Sequence, residues 1–222
     1  MTTTLLHRRA AALALTVATA AFVAGCVSTP DRPPTLLTLP GPTIASAPAP
    51  LTAAPREGST LAIARLDIPE YLVSRRVRYR TDGSTLAEWP DTFWAERIEV
   101  GMSREFASAL RARLPGWRLC ESQCAQWSPV AGLRVVIDRM DYSRAQRRLL
   151  ATARVAVVSH ETDARSVNSQ RLDYELKAEA DTPQAQAQAY ADLLDRLATD
   201  AAAAVAGVTA LAAPSTAAPA GR

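Results

Sequence analysis

The chain has few of the side chains on which most enzymes depend. It holds two histidines and three cysteines in 222 residues. No serine stands in the G-x-S-x-G turn of a hydrolase, and the G-x-x-x-x-G-K-[ST] loop that binds nucleotide phosphates is missing. His7 lies in a segment with the pattern of an export signal, which leaves His160 as the one imidazole of a mature protein. The carboxylates show no spacing that would place two of them around a cleft. The sequence therefore predicts a protein that is not an enzyme.

Strong charge is also lacking. Lysine plus arginine number 25 and aspartate plus glutamate number 22, a formal net charge of +3. Two of the arginines, Arg8 and Arg9, lie in the signal-like segment, so the remainder of the chain is closer still to neutral. A nucleic-acid-binding domain needs a basic excess on one face. We therefore expect no nucleic-acid partner.

Residues 1–25 have the three parts of a secretory signal. Their apolar run is shorter than the roughly 20 residues that a bilayer-spanning helix needs. It leads into Val23-Ala24-Gly25-Cys26, which resembles the lipobox of bacterial lipoproteins. We expect Cys26 to carry a covalent lipid that anchors the protein without spanning the membrane. The alternative is a free cysteine at the end of an ordinary signal. Val27 follows rather than aspartate, which in the enterobacterial sorting pattern implies the outer membrane.

The two remaining cysteines are too few for a structural metal site. Cys120, Cys124 and His160 would leave a tetrahedral shell incomplete without a carboxylate from elsewhere. We expect no metal and no cofactor besides the lipid. In the oxidising periplasm, Cys120 and Cys124 suit a local disulfide if their short loop permits the geometry.

Composition divides the rest of the chain into three segments. Residues 26–57 are rich in proline and predict a disordered tether that begins at the lipidated cysteine. Within it, the short apolar cluster at residues 36–39 leaves two readings open, tether or docked edge strand. Residues 58–208 predict one globular domain, and residues 209–222 a disordered tail.

Periodicity predicts the elements of the globular domain. Two-residue alternation indicates strands over residues 60–68, 75–80, 85–89, 117–120, 133–142, 149–159 and 171–180. Helices are predicted from Pro90 or Asp91 to Leu114, and from Pro183 to about Val208. We expect an α+β fold, in which a mixed, largely antiparallel β-sheet packs with two long helices as a two-layer α/β sandwich in a single domain.

Each predicted helix carries an apolar stripe of the kind that packs on a sheet. The stripes are Trp94, Ile98, Met102, Phe106 and Leu110 in the first helix, and Tyr190, Leu193, Leu194, Leu197 and Val205 in the second.

The strand at residues 75–80 is unusual because arginine alternates along it. Arg76, Arg78 and Arg80 share one face, and the Asp82-Gly83 pair that follows predicts a two-residue hairpin turn with positive φ. We expect an exposed hairpin. Two readings of its arginine face remain open. It is either a solvated face that discourages edge pairing, or a contact surface for lipid phosphate or an acidic partner.

Taken together, these features resemble the ABC-type transport auxiliary lipoprotein family, which includes the lipoprotein of the paraquat-inducible (Pqi) system. The resemblance is carried by the lipobox, the Ile68-Pro69-Glu70-Tyr71-Leu72 segment with its arginine strand, the β-meander and the alanine-rich final helix. It implies a periplasmic domain on the outer membrane. Its partners would be an MCE-domain protein and the associated ABC permease and ATPase, which move lipids between the two membranes. A homo-oligomer is also compatible with the family.

The leading hypothesis is thus a non-enzymatic docking lipoprotein. Its partner-binding residues would be Tyr71, Leu72, Arg76, Arg78 and Arg80. The alternatives are an envelope-structural or secretion-associated lipoprotein with no role in lipid transport, and a lipid-binding carrier.

Overall fold

The computed structural model describes residues 33–41, 58–122, 124–159 and 167–212. The strands are β1 Thr35–Leu37, β2 Thr60–Ile63, β3 Arg76–Arg80, β4 Leu86–Trp94, β5 Arg118–Cys120, β6 Ala131–Ser143, β7 Arg148–Ser159 and β8 Val167–Lys177. The helices are α1 Ile98–Arg113 and α2 Pro183–Ala212, and two 3₁₀ turns span Glu70–Leu72 and Cys124–Trp127.

The described strands form one mixed sheet around β6. Along one edge, β6 pairs in parallel with β2 near its start and with β3 at Ser143 near its end. Its other edge pairs antiparallel with β7, and β7 pairs with β8. The predicted meander is therefore confirmed. Beyond β3 the sheet continues through β4 to β1, and beyond β2 it ends at β5. Both long helices pack with this sheet, which confirms the predicted single-domain α+β fold.

The core lies between the helices and one face of the sheet. All five predicted stripe residues of α2 are buried, as are the alternating residues Leu133, Val135 and Ile137 of β6. A buried arginine joins the two helices, although the sequence pattern places it off the apolar stripe. Arg113 is 4% exposed, and its guanidinium donates to Asp195 at 2.6 Å and to Thr199 at 2.7 Å.

The predicted start of the first helix is wrong. β4 runs through Pro90 to Trp94, and α1 begins seven residues later than Asp91, at Ile98. Tertiary pairing overrides the local signal, because Trp94 donates its N–H to the Arg75 carbonyl and lies in register with Leu37 of β1. Trp94 is still buried, but it stacks on Tyr190 from a strand, with ring centroids 6.0 Å apart.

The turn between β3 and β4 also differs from the prediction. Gly83 does not have positive φ, and the hydrogen bond from Thr81 N–H to the Thr85 carbonyl closes a loop of three residues rather than two. The Asp82 carboxylate organises this loop by accepting from the N–H groups of Ser84 and Thr85 at 2.9 and 2.8 Å. Aspartate commonly forms such side-chain turns, which need no left-handed backbone.

The apolar cluster at residues 36–39 is a docked strand rather than tether. β1 pairs in parallel with β4, and Leu37 and Leu39 are buried. The sheet therefore includes Thr35–Leu37, which lie within the segment that the sequence assigns to the tether. The signal, Cys26, His160 and residues 213–222 lie outside the described residues, so the predictions made for them stay predictions.

The loop after β5 holds the two cysteines close together. Cys120 and Cys124 form a disulfide, with their Cα atoms 5.6 Å apart. Cys120 ends β5 and Cys124 begins a 3₁₀ turn. The bond thus closes the loop at this edge of the sheet.

A buried glutamine joins the first turns of α2 to β3 and β4. Gln186 is fully buried; its Oε1 accepts from the Trp89 indole at 2.7 Å, and its Nε2 donates to the Arg78 carbonyl at 2.7 Å and the Tyr190 hydroxyl at 3.0 Å. One side chain thus bonds to polar groups of β3, β4 and α2 inside the core. Burying such groups without partners is costly.

Replacing this glutamine should cost a large part of the stability of the domain. Gln186→Leu removes the acceptor of the buried Trp89 indole and the donors to the Arg78 carbonyl and the Tyr190 hydroxyl, and we expect it to lower the free energy of unfolding by about 3 kcal/mol. Gln188→Leu, two residues along the same helix at an exposed position, should change it by less than about 0.5 kcal/mol. Urea unfolding followed by tryptophan fluorescence measures both. Equal losses in the two variants would contradict the role given to Gln186.

Candidate functional site

The arginine row of β3 lies on the face of the strand opposite the buried Val77. Side-chain exposure falls along the row, from 49% at Arg76 to 33% at Arg78 and 18% at Arg80. The predicted alternation is therefore present. The row is not the uniformly exposed hairpin face that the sequence predicts, because β3 lies between β4 and β6 in the sheet.

The least exposed end of the row, at Arg80, is its inner end, and a buried carboxylate holds it in place. Arg80 contacts Asp141 of β6 at 2.8 Å, and Asp141 is 7% exposed. Arg139 contacts the same carboxylate at 2.5 Å, and the Tyr71 hydroxyl donates to it at 3.0 Å. Burial alone raises the pKa of the Asp141 carboxyl, but hydrogen bonds from these three side chains outweigh it and hold the pKa below its ordinary value of 3.8. Asp141 is therefore the charged centre of this cluster at neutral pH.

Of the two partner-binding residues predicted in an exposed loop, Leu72 lies in the interior and Tyr71 is partly buried. Leu72 is 7% exposed and belongs to the core. Tyr71 packs against the core, and its hydroxyl accepts from the Met140 N–H at 3.1 Å while donating to Asp141. The 3₁₀ turn causes this placement, because it curls the segment back onto β6. Leu72 is thus not available to a partner in this structure.

The outer end of the row, at Arg76, is the end that solvent reaches. Arg78 donates to the Tyr71 carbonyl at 3.0 Å and to Glu88 at 3.2 Å, while Arg76 shares Glu88 at 3.3 Å. Because one carboxylate serves two guanidinium groups, a net positive charge remains at this end. The contact role predicted for Arg76, Arg78 and Arg80 stays a prediction. Arg76 and Arg78 are the better candidates for it, because Arg80 is already paired with the buried Asp141.

Apolar side chains adjoin the outer end. Arg76 lies over the ring of Phe93, with 5.0 Å from its guanidinium carbon to the ring centroid. In the strand register Phe93 is opposite both Arg76 on β3 and Leu36 on β1. Leu36 is 60% exposed. We call these three residues on neighbouring strands the edge row.

A second arginine cluster flanks the inner end of the arginine row, and sequence reasoning missed it. The Arg144 guanidinium lies 4.0 Å from the Trp89 ring centroid and 4.9 Å from that of Tyr79, and it binds Asp181 through two hydrogen bonds of 2.9 and 2.8 Å. Arg144 lies in a turn with polar neighbours, which carry no signal for partners 37 or more residues away in sequence. The cluster fixes the β6–β7 turn against the start of α2.

A cleft of about 420 Å³ lies between β2 and α1, away from both clusters. Ser103 and Ser122 both line this cleft, and the Ser103 hydroxyl donates to the Glu99 carbonyl and accepts from the Leu66 N–H. The donor and the acceptor function of the Ser103 hydroxyl thus both serve the backbone. Within the described residues, no three histidine, cysteine or acidic side chains lie close enough together to hold a metal ion.

The fold and the arginine cluster define a single-domain α+β protein whose main charged network holds strands together. The chain belongs to the family of the ABC-type transport auxiliary lipoprotein component, whose model matches residues 38–202. This confirms the family predicted from the sequence. Membership of a lipoprotein family indicates a membrane-associated place in the cell envelope. None of the helices in the described part of the chain is both long and apolar enough to cross a bilayer.

Solved structures share this fold at low sequence identity. The chain is similar to the crystal structure of an uncharacterised protein, with a TM-score of 0.63, 15% identity, and coverage of 78% of this chain and 99% of the other. It is also similar to a protein from Xanthomonas campestris, with a TM-score of 0.56, 13% identity, and coverage of 82% and 99%. At these identities the likeness shows the fold alone. No curated protein matches the sequence.

The Asp141 cluster should make stability depend on pH. Asp141→Asn removes the charge that faces Arg80, and we expect it to lower the free energy of unfolding by about 3 kcal/mol at pH 7. Because the folded pKa is depressed, the stabilisation by Asp141 is present above the unfolded pKa and lost as pH falls through the folded one. The deficit of the variant should therefore shrink below about pH 4.

Asp138→Asn is the matched control for this measurement. Asp138 lies on the same strand and pairs with Arg154 at 2.6 Å, but Arg154 is 55% exposed. Surface pairs contribute little, so its effect at pH 7 should be much smaller. A deficit for Asp141→Asn that persists unchanged at low pH would contradict the electrostatic account.

Proposed function

We propose that this protein is a non-enzymatic auxiliary subunit of an MCE-type ABC system that transports lipids between the inner and outer membranes. Cys26 would anchor it to the periplasmic face of the outer membrane. The observation that carries the proposal is the family match over residues 38–202, which spans most of the described domain. ATP hydrolysis would belong to a separate cytoplasmic subunit, since this chain carries no phosphate-binding loop.

The side chains of the domain support a binding role rather than a catalytic one. Each buried charged side chain described pairs with a more exposed partner: Asp141 with Arg80, Arg113 with Asp195, and Glu99 with Arg97. The charged groups in the arginine row meet carboxylates and carbonyls of the same domain, an arrangement that holds a surface rigid. A rigid, preorganised surface lowers the entropic cost of docking to a partner.

The sequence around Cys26 supports the proposed location at the outer membrane. The lipobox at residues 23–26 and the absence of aspartate at position 27 agree with an acylated protein sorted to the outer membrane. Two or three acyl chains hold a protein stably on a leaflet, since each buried methylene contributes about 0.8 kcal/mol.

Affinity purification from native membranes tests the proposal. The full-length protein carries a C-terminal tag, and its co-purified proteins are identified by mass spectrometry. We expect an MCE-domain protein to be enriched, together with its permease and ATPase. Cys26→Ser, which lacks the thiol that would be acylated, is the control for anchoring. We expect this variant to be lost from the outer-membrane fraction.

Two outcomes would contradict this function. Enrichment of a different envelope assembly, with no MCE protein at any detergent condition, would favour the envelope-structural alternative. Phospholipid that stays bound to the purified domain in native mass spectrometry would favour the lipid-carrier alternative instead.

A further inference from the structure

Docking of β1 shortens the chain available between anchor and domain. The sequence alone gives a tether over residues 27–57, but the structure takes Thr35–Leu37 into the sheet. Eight residues, 27–34, remain between Cys26 and β1. Fully extended, the nine peptide steps from Cys26 to Thr35 reach at most roughly 30 Å. As a flexible coil their mean reach is nearer 16 Å.

This reach is short compared with the size of the domain. A folded unit of this length is roughly 40 Å across. Within the sheet, the order β1-β4-β3-β6-β7-β8 places β8 five strand spacings from β1, about 24 Å away. A domain held by its β1 edge therefore presents that edge to the leaflet that holds the anchor, with β8 farther away.

The side chains at the β1 edge suit a lipid surface. Leu36 is 60% exposed on β1, which is the outermost strand on this side of the sheet. Beside it, Phe93 is half-buried, and Arg76 lies over its ring while leaving 49% of its own side chain exposed. An apolar residue next to an exposed guanidinium matches the boundary between acyl chains and phosphate groups, where long basic side chains extend their charge to the headgroups. Arg75, which is also exposed, adds a second positive charge at the same place.

We infer that the edge row of Leu36, Phe93 and Arg76 is the membrane-facing surface of the protein, and that it rests on the anionic headgroups of the leaflet that carries the Cys26 anchor. This inference rests on the acylation of Cys26 in the proposed function. It assigns the outer end of the arginine row to lipid phosphate rather than to the protein partner. The transport partner would then bind a surface farther from the β1 edge.

Depth-dependent fluorescence quenching tests this orientation on the full-length acylated protein. Leu36→Cys provides a single thiol for an environment-sensitive dye, because Cys26 is acylated and Cys120 is bonded to Cys124. Glu175→Cys, exposed on β8, is the matched label at the opposite edge. The labelled proteins are reconstituted in vesicles of phosphatidylethanolamine with a minority of phosphatidylglycerol, with and without a nitroxide at the lipid headgroup. We expect several-fold stronger quenching at position 36 than at position 175.

Charge reversal tests the contribution of Arg76. In the Leu36→Cys background, Arg76→Glu should reduce quenching and remove most of its dependence on phosphatidylglycerol, since each basic residue near an anionic surface strengthens binding. Arg154→Glu is the matched control. Arg154 is 55% exposed, close to the 49% of Arg76, and it also contacts a carboxylate, that of Asp138, but it lies on β7. It should leave the quenching at position 36 unchanged.

Each outcome decides between the proposals. Equal quenching at positions 36 and 175 in protein that mass spectrometry shows to be acylated would overturn the orientation and leave the proposed function standing. Unmodified Cys26 would overturn the anchor as well as the orientation. Shielding of the label at position 36 by an added MCE-domain protein in the absence of vesicles would assign the edge row to that partner and refute the lipid contact.

Discussion

The arrangement of the arginine network depends on one irregularity in β6. Before the irregularity, Leu133, Val135 and Ile137 face the core; after it, Met140 and Tyr142 do. The pairing with β7 shifts by one residue between Ile137 and Arg139. Because side chains alternate along a strand, this bulge exchanges the faces of all later residues. An unbroken strand would direct Asp141 towards the helices, with the charge of its carboxylate buried in an apolar core.

The bulge therefore brings together groups that are distant in sequence. Asp141 reaches Arg80 on the adjacent strand and the hydroxyl of Tyr71. The same contacts hold the 3₁₀ turn that buries Leu72, so the cluster closes the segment between β2 and β3. Removing one partner of such a pair leaves the other charge without compensation, which costs more than the pair contributes by its formation. The cluster consequently constrains where β3, β6 and the 3₁₀ turn can lie.

Sequence reasoning succeeds where a local pattern determines the outcome. The stripe of α2 and the alternation of β6 to β8 are read from neighbouring residues, and the structure confirms them. Pro90 and Asp91 look like a helix start for equally local reasons. There the pairing of β4 with β1, some 57 residues earlier in the chain at Thr35 and Thr92, overrides the pattern. Short strands such as β1 carry too little signal to predict that pairing.

The candidate site was harder to predict for the same reason. Alternation correctly placed Arg76, Arg78 and Arg80 on one face, but their exposure depends on partners that no local pattern reveals. Asp141 lies 61 residues beyond Arg80, and the register that joins them depends on the β6 bulge. The buried Gln186, which has three hydrogen-bond partners, was not predicted either, because glutamine is usually exposed to solvent.

The two ends of the arginine row differ in what they can do. At the inner end, Arg80 is already matched by a buried carboxylate, so an incoming phosphate would have to displace Asp141 from two guanidinium groups and a hydroxyl. At the outer end, Arg76 shares Glu88 with Arg78 and covers an aromatic ring. It can approach an anion without breaking a buried pair, so the cost of desolvation is low there. The gradient of exposure along β3 thus separates an end that a buried ion pair holds in place from an end that solvent reaches.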